Sequence, residues 1–133
     1  MSRFRLTVDD HVMIAHSLND PYFGPAQRLH GATLSIQASF FREGLNEYGV
    51  VIDIGAASEL LASTLEPLRY QNLDELPEFA GRFSTTEVII EHIAQRLAAG
   101  LPTDHGLSAL EVQAEEHPQA RASVRLQLQS TGR

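Results

Sequence analysis

His30-Gly31-Ala32-Thr33-Leu34-Ser35-Ile36-Gln37-Ala38-Ser39-Phe40 alternates with a period of two. His30, Ala32, Leu34, Ile36, Ala38 and Phe40 take one face; Gly31, Thr33, Ser35, Gln37 and Ser39 take the other. Successive side chains of a strand point to opposite faces, so this stretch reads as a strand with one buried and one wet face. That is the pattern an antiparallel sheet allows. Towards the N-terminus, Phe4, Leu6 and Val8 alternate with Arg3, Arg5 and Thr7, and Val12, Ile14 and His16 continue the even row. This predicts a first strand, kinked at Asp9-Asp10, then a Pro- and Gly-rich loop over Asn19–Pro25. Two more alternating runs lie near the C-terminus. Ser108, Leu110, Val112, Ala114 and Glu116 share one face of a third strand, and Ala120, Ala122, Val124, Leu126 and Leu128 one face of a fourth.

Between the strand pairs the period changes. Ile54, Ala57, Leu61, Leu65 and Leu68 follow 3.6-residue spacing, with Asp53 as N-cap and Pro67 near the stop. Ser84-Thr85-Thr86-Glu87 reads as a capping box opening a second helix with the stripe Ile89/Ile90, Ile93 and Leu97, ended by Gly100-Leu101-Pro102. The order is ββααββ. A single α+β domain over residues 1–133 is expected, with two helices covering one face of a four-stranded antiparallel sheet. Long edge strands endanger a monomer, so an oligomer that pairs them is expected.

Composition narrows the chemistry. The chain carries 10 basic residues, all arginine, against 17 acidic ones, a formal charge of −7. That excess argues against nucleic-acid and anionic-membrane partners. Cysteine is absent, which removes disulfides, thiolate nucleophiles and Cys-ligated metals. With no lysine, neither Schiff-base chemistry nor a P-loop lysine is available. No apolar signal-like or membrane-spanning run is present, so a cytoplasmic protein is expected.

Four groups of residues invite a functional reading, each beside a plainer one. His16 and His30 fall on the apolar faces of neighbouring strands, where two imidazoles either share a metal or sit as hydrogen-bonded core histidines. Glu116 continues the inward register of its strand while Glu115 points away. Either anchors a ligand with two parallel N–H donors, or both are solvated beside the turn at Pro118. Thr85, Thr86 and Glu87 either cap a helix or line a pocket at its N-terminus. Arg69-Tyr70 reads as a surface arginine and a half-buried tyrosine.

The ββααββ order, His16 with His30-Gly31 at the start of the second strand, Pro67-Leu68 with Asn72-Leu73-Asp74, and Ser84-Thr85-Thr86-Glu87 together resemble the 6-pyruvoyl-tetrahydropterin synthase family, which includes the 6-carboxytetrahydropterin synthases. The similarity runs over nearly the whole chain. It implies a T-fold (tunnelling fold), with sheet edges pairing into a trimeric barrel and two trimers stacking into a homohexamer. It also implies zinc held by three histidines, two of which match His16 and His30. The third position is Ala32, whose methyl cannot ligate, so no zinc or other cofactor is expected. Ala26 stands at the family's cysteine and Arg69-Tyr70 at its Asp-His relay, and neither side chain of that pair is a general base near neutral pH.

The binding half of the family pattern is kept. The resemblance assigns Thr85, Thr86 and Glu87, with Glu115 or Glu116, to recognition of a pterin- or purine-like ligand. The expected function is therefore pterin binding without the family reaction. A different, metal-independent activity would use Tyr70, His16 or His30 as proton carriers. The alternatives are a non-catalytic structural or regulatory hexamer, and a metalloenzyme with a relocated third ligand; of the spare histidines, His11 has the wrong strand parity and His105 lies in a loop, which leaves His117 beside the two glutamates.

Overall fold

The computed structural model describes residues 2–129. Four strands, β1 (Arg3–His16), β2 (His30–Glu43), β3 (Ala109–His117) and β4 (Ala120–Gln127), form one antiparallel sheet in the order β1-β2-β3-β4. Helices α1 (Ile54–Leu65) and α2 (Thr86–Gly100) lie between the two strand pairs in the chain and pack on one face. Short 3₁₀ turns at Pro21–Gln27, Glu66–Leu68, Leu73–Glu75 and Pro77–Phe79 make up much of the connecting chain.

The even row of β1 and the even rows of β2 and β3 meet the helical stripes in one core. Val12, Ile36, Phe40 and Val112 from the sheet and Ile90, Ile93 and Leu97 from α2 are fully buried. Each large side chain so buried contributes about 1.5–3 kcal/mol of transfer free energy. The Asp53 carboxylate accepts from the Ala56 amide at 2.8 Å, which caps α1 as its sequence implies. At Gly100 a Cβ would stand 2.7 Å from Leu60 Cδ1, so any larger residue at the end of α2 would require the Leu60 side chain to move.

Two sequence expectations change. β1 pairs with β2 without interruption from Arg3↔Glu43 to His16↔His30, so there is no kink at Asp9-Asp10. Asp10 stays in the core-facing row because the Arg69 guanidinium meets it at 2.9 Å, which satisfies the carboxylate without bending the strand. The cap of α2 is displaced by one residue. Thr85, not Ser84, accepts from Val88 N at 3.2 Å, and Ser84 is free for another partner.

The outer edge of β1 is half closed. Tyr70 N donates to Met13 O at 2.7 Å, Ala15 N to Gln71 O at 2.9 Å, and Arg69 Nη1 to His11 O at 2.7 Å. Residues 69–72 thereby cover the edge from His11 to Ala15, and the portion nearer the N-terminus lies beyond this cover. At the opposite edge, Ala122, Val124 and Leu126 of β4 are only half-buried.

Candidate functional site

The sheet brings His16 and His30 face to face. They are register partners, with ring centroids 4.7 Å apart. His16 Nδ1 lies 2.8 Å from the Ser84 carbonyl and 3.0 Å from its hydroxyl. His30 Nδ1 lies 2.8 Å from the Arg28 carbonyl. A carbonyl only accepts, so each Nδ1 carries a proton, and in a neutral ring that makes Nε2 the lone-pair atom. His16 is 3% exposed. Burial pushes its pKa below the usual imidazole value and His30 pushes it further; the Ser84 hydrogen bond, Glu116 and Asp74 oppose this without reversing it. His16 is therefore neutral at pH 7.

The capping shift gives this arrangement its second component. Ser84, buried and released from the cap, holds His16, while the next two residues begin α2. Thr86 Oγ1 donates to Glu116 Oε1 at 3.3 Å. Thr86, Glu87, Glu116, His117 and Arg121 line a cavity of about 170 Å³. Glu116 is exposed at its mouth, and its charge reaches His16. Glu115 belongs to the other face, where Arg121 Nε meets its carboxylate at 3.2 Å. The residue after Glu115 steps out of regular register, which turns Glu116 towards the helix N-terminus. Thr85 lends its hydroxyl to the cap and Glu87 lies exposed in the first helical turn.

On the other side of Ser84 is a larger cavity, about 460 Å³, lined by Ser17, Asn19, Asp74, Arg82, Phe83 and Ser84 among others. Asp74 is engaged there, accepting from the Ser17 hydroxyl at 2.5 Å and the Ser17 amide at 3.2 Å. The sequence signal for this contact was Asn72-Leu73-Asp74, in which the Asn72 side chain accepts from Asp74 N and closes a turn. Nothing in the spacing announced Ser17 or Ser84 as partners.

Arg69 and Tyr70 depart from their sequence reading. Arg69 is a clamp between Asp10, the His11 carbonyl and Glu66 rather than a surface arginine. Tyr70 is 80% exposed, not half-buried, and its φ of +57° makes it the one non-glycine residue with positive φ among those described. Its phenol has no hydrogen-bond or ring partner among the described residues, so the structure does not bring it to the imidazole pair.

For a cation, this arrangement offers the two Nε2 lone pairs. Ala32 stands opposite Ile14, half-buried and without a donor atom. Ala26 contributes its carbonyl to Leu18 N at 2.9 Å. His11 lies beside Asp10, His105 Nδ1 accepts from Leu107 N, and His117 lines the small cavity. Among the described residues no group of three or more His, Cys, Asp or Glu stands together to hold a metal ion. The pair is thus short of the three protein donors a catalytic zinc ordinarily takes.

Comparisons with known proteins give the fold its relatives. A family model described as 6-pyruvoyl tetrahydropterin synthase matches residues 5–127. Among solved structures, the chain is similar to Caenorhabditis elegans 6-pyruvoyl tetrahydropterin synthase, with a TM-score of 0.82 and 20% identity, covering 93% of this chain and 96% of that one. It is similar to the Plasmodium vivax enzyme (TM-score 0.81, 17% identity, 96% and 100% covered). The Plasmodium falciparum enzyme compares similarly, at a TM-score of 0.80 and 17% identity over 96% and 100%. No curated protein matches by sequence. Among the described residues, no helix is long and apolar enough to cross a membrane.

Proposed function

Because the chain belongs to the 6-pyruvoyl tetrahydropterin synthase family, we propose that it binds a pterin- or purine-like heterocycle through Glu116 at the start of α2, without the family's zinc-dependent reaction. The observation that carries this reading is the division of labour between the two glutamates. Glu115 is taken by Arg121, whereas Glu116 faces a cavity with, among the described residues, only the Thr86 hydroxyl on one of its oxygens. An exposed carboxylate so placed accepts two parallel N–H bonds from a ligand edge, the geometry that makes bidentate pairs strong. Thr86 orients it and Glu87 adds acceptor character to the rim. A cavity of about 170 Å³ is smaller than the usual enclosed ligand site. The ligand therefore lies partly outside it, against a second subunit in the homohexamer we propose for this chain.

The chemistry we assign is what the remaining side chains allow. Two imidazoles and a methyl do not make a zinc centre, so the protein works without resident zinc. With Arg69 held in its clamp and Tyr70 turned to solvent, the Asp-His relay has no replacement. Any proton transfer falls to the Nε2 atoms of His16 and His30. The second reading, a non-catalytic binding subunit, is favoured by the same clamp, since Arg69 serves the β1 edge rather than a substrate.

Calorimetric titration of the purified chain with pterin and with guanine, in chelator and then with added zinc, tests the reading. The expected result is saturable binding indifferent to zinc, weakened roughly tenfold or more by Glu116→Gln, which loses a charge-assisted acceptor, and unchanged by Glu115→Gln. Binding that needs zinc, or equal losses in the two variants, overturns it.

A further inference from the structure

We propose that a single side chain, Ala32, keeps zinc out of this protein, and that the rest of a three-imidazole metal centre is still built around His16 and His30. The inference rests on the zinc-free reading and goes beyond it by naming the residue that decides and the change that reverses it. Two imidazoles and a methyl fall one donor short of the three protein ligands that a catalytic zinc ordinarily takes. The shortfall is confined to that donor, because what an imidazole needs before it can ligate is present in both histidines.

A ligating imidazole is held by its second nitrogen, whose N–H goes to a carbonyl or carboxylate and so fixes the tautomer and the plane of the ring. His16 gives its Nδ1–H to the Ser84 carbonyl at 2.8 Å, with the Ser84 hydroxyl at 3.0 Å. His30 gives its own to the Arg28 carbonyl at 2.8 Å. The two carbonyls come from different segments, one just before α2 and one just before β2, so each ring is oriented independently of the other. Neighbouring imidazoles, here register partners with centroids 4.7 Å apart, can satisfy each other by passing an N–H to a lone pair. These two do not. Both N–H groups go to the carbonyls instead, and neither Nε2 has a hydrogen-bond partner among the described residues. Metal ligands are held in this way, and simple packing of two histidines does not require it. The charges of Glu116 and Asp74 also reach His16, a field that favours a cation there.

Ala32 is where the third donor belongs. It follows His30 by two residues on β2, roughly 6.6 Å along the strand, and therefore shares its face. Its register partner is Ile14 and that of His30 is His16, so position 32 is the diagonal neighbour of His16, within reach of a long side chain. Ala32 is half-buried, packed against the margin of the core rather than inside it. Nothing else makes up the set: among the described residues no third His, Cys, Asp or Glu stands with the pair to hold a metal ion. His11 lies on the opposite row of β1, His105 spends its Nδ1 on the Leu107 amide, and His117 lines the cavity beside Glu116.

The test is competition for zinc between a chromophoric chelator and the full chain at neutral pH, with cobalt(II) as the spectroscopic substitute. Ala32→His should take up one zinc per chain and hold it on the order of a hundredfold or more tighter than the parent, since losses outside the ligand set alone cost about 10–100-fold. Its cobalt form should show the visible absorption of a tetrahedral ion, and zinc should raise its melting temperature while leaving that of the parent unchanged. Adding His16→Ala to Ala32→His should abolish all three effects. If the new imidazole lowers the melting temperature of the metal-free chain, the smaller Ala32→Asp carries the same expectation, because a carboxylate oxygen also ligates zinc. Zinc held as tightly by the parent as by these variants overturns Ala32 as the determinant. Folded Ala32→His and Ala32→Asp with no gain in zinc affinity, or a gain that survives His16→Ala, overturn the metal-ready pair. The pterin reading is judged separately, by Glu116→Gln in chelator, so the two can fail independently.

Discussion

Replacing Arg69 by methionine keeps most of the aliphatic stem and removes the guanidinium that clamps residues 69–72 to β1. The cost is worked from its three contacts. The Glu66 pair contributes close to nothing, because Glu66 is 75% exposed and screened by water. Asp10 and Arg69 are each 23% exposed and 2.9 Å apart; charged hydrogen bonds contribute about 1.5–3 kcal/mol when shielded, which this exposure reduces to ~1–2 kcal/mol. The bond to the His11 carbonyl adds ~1 kcal/mol. Arg69→Met should therefore destabilise the protein by about 2–3 kcal/mol, measured by urea melts. Part of that is the penalty of leaving the Asp10 carboxylate in the core-facing row without its cation, held only by the His11 amide at 2.7 Å, so Asp10→Asn should relieve it. The double-mutant cycle should show coupling of about 1–2 kcal/mol. Amide exchange gives a second readout. Tyr70 and Ala15 amides, which bridge the segment to β1, should lose protection while that of Val12 inside the sheet keeps it. Coupling below ~0.5 kcal/mol, or equal loss of protection along all of β1, would refute the clamp.

Acidification tests the histidine pair. The pKa of His16 is lower in the folded chain than in the unfolded one, so the unfolded state takes up a proton first as pH falls. The associated stability is complete above about 6.5 and is lost progressively as pH drops from there towards the folded pKa. Thermal melts from neutral to mildly acidic pH should show this loss, and His16→Gln should flatten part of it; the rest belongs to His92, also lowered by burial. An unchanged slope in His16→Gln would remove His16 as the cause. Tyr70→Gly should stabilise the protein by about 1 kcal/mol, because φ +57° costs a tyrosine and not a glycine, and the exposed phenol gives up no packing. A fall in melting temperature would mean that the side chain holds a contact the fold depends on.

Where sequence and structure differ, the differences share a cause. The alternation of Leu34, Ile36, Ala38 and Phe40 and the helical stripe of Ile90, Ile93 and Leu97 specify the same buried face in both. Asp10 interrupted that alternation and suggested a kink, because its partner lies 59 positions away and leaves no local trace. Ser84 fitted the first position of a capping box as well as Thr85 fits the true cap, and only the 2.8 Å approach of His16 decides between them. The two glutamates were equivalent by sequence. A step in register and the hydroxyl of Thr86 separate them.

By itself the sequence determined the four strands, the two helices and their order, since periodicity and caps act within a few residues. It determined too that His16 and His30 share the apolar face. Only the tertiary structure decided that residues 69–72 close half of an edge, that Ser84 holds His16 and that Glu116 rather than Glu115 meets α2. Each of these joins residues distant in the chain, and a contact of that kind is set by how the layers pack, which no local pattern records.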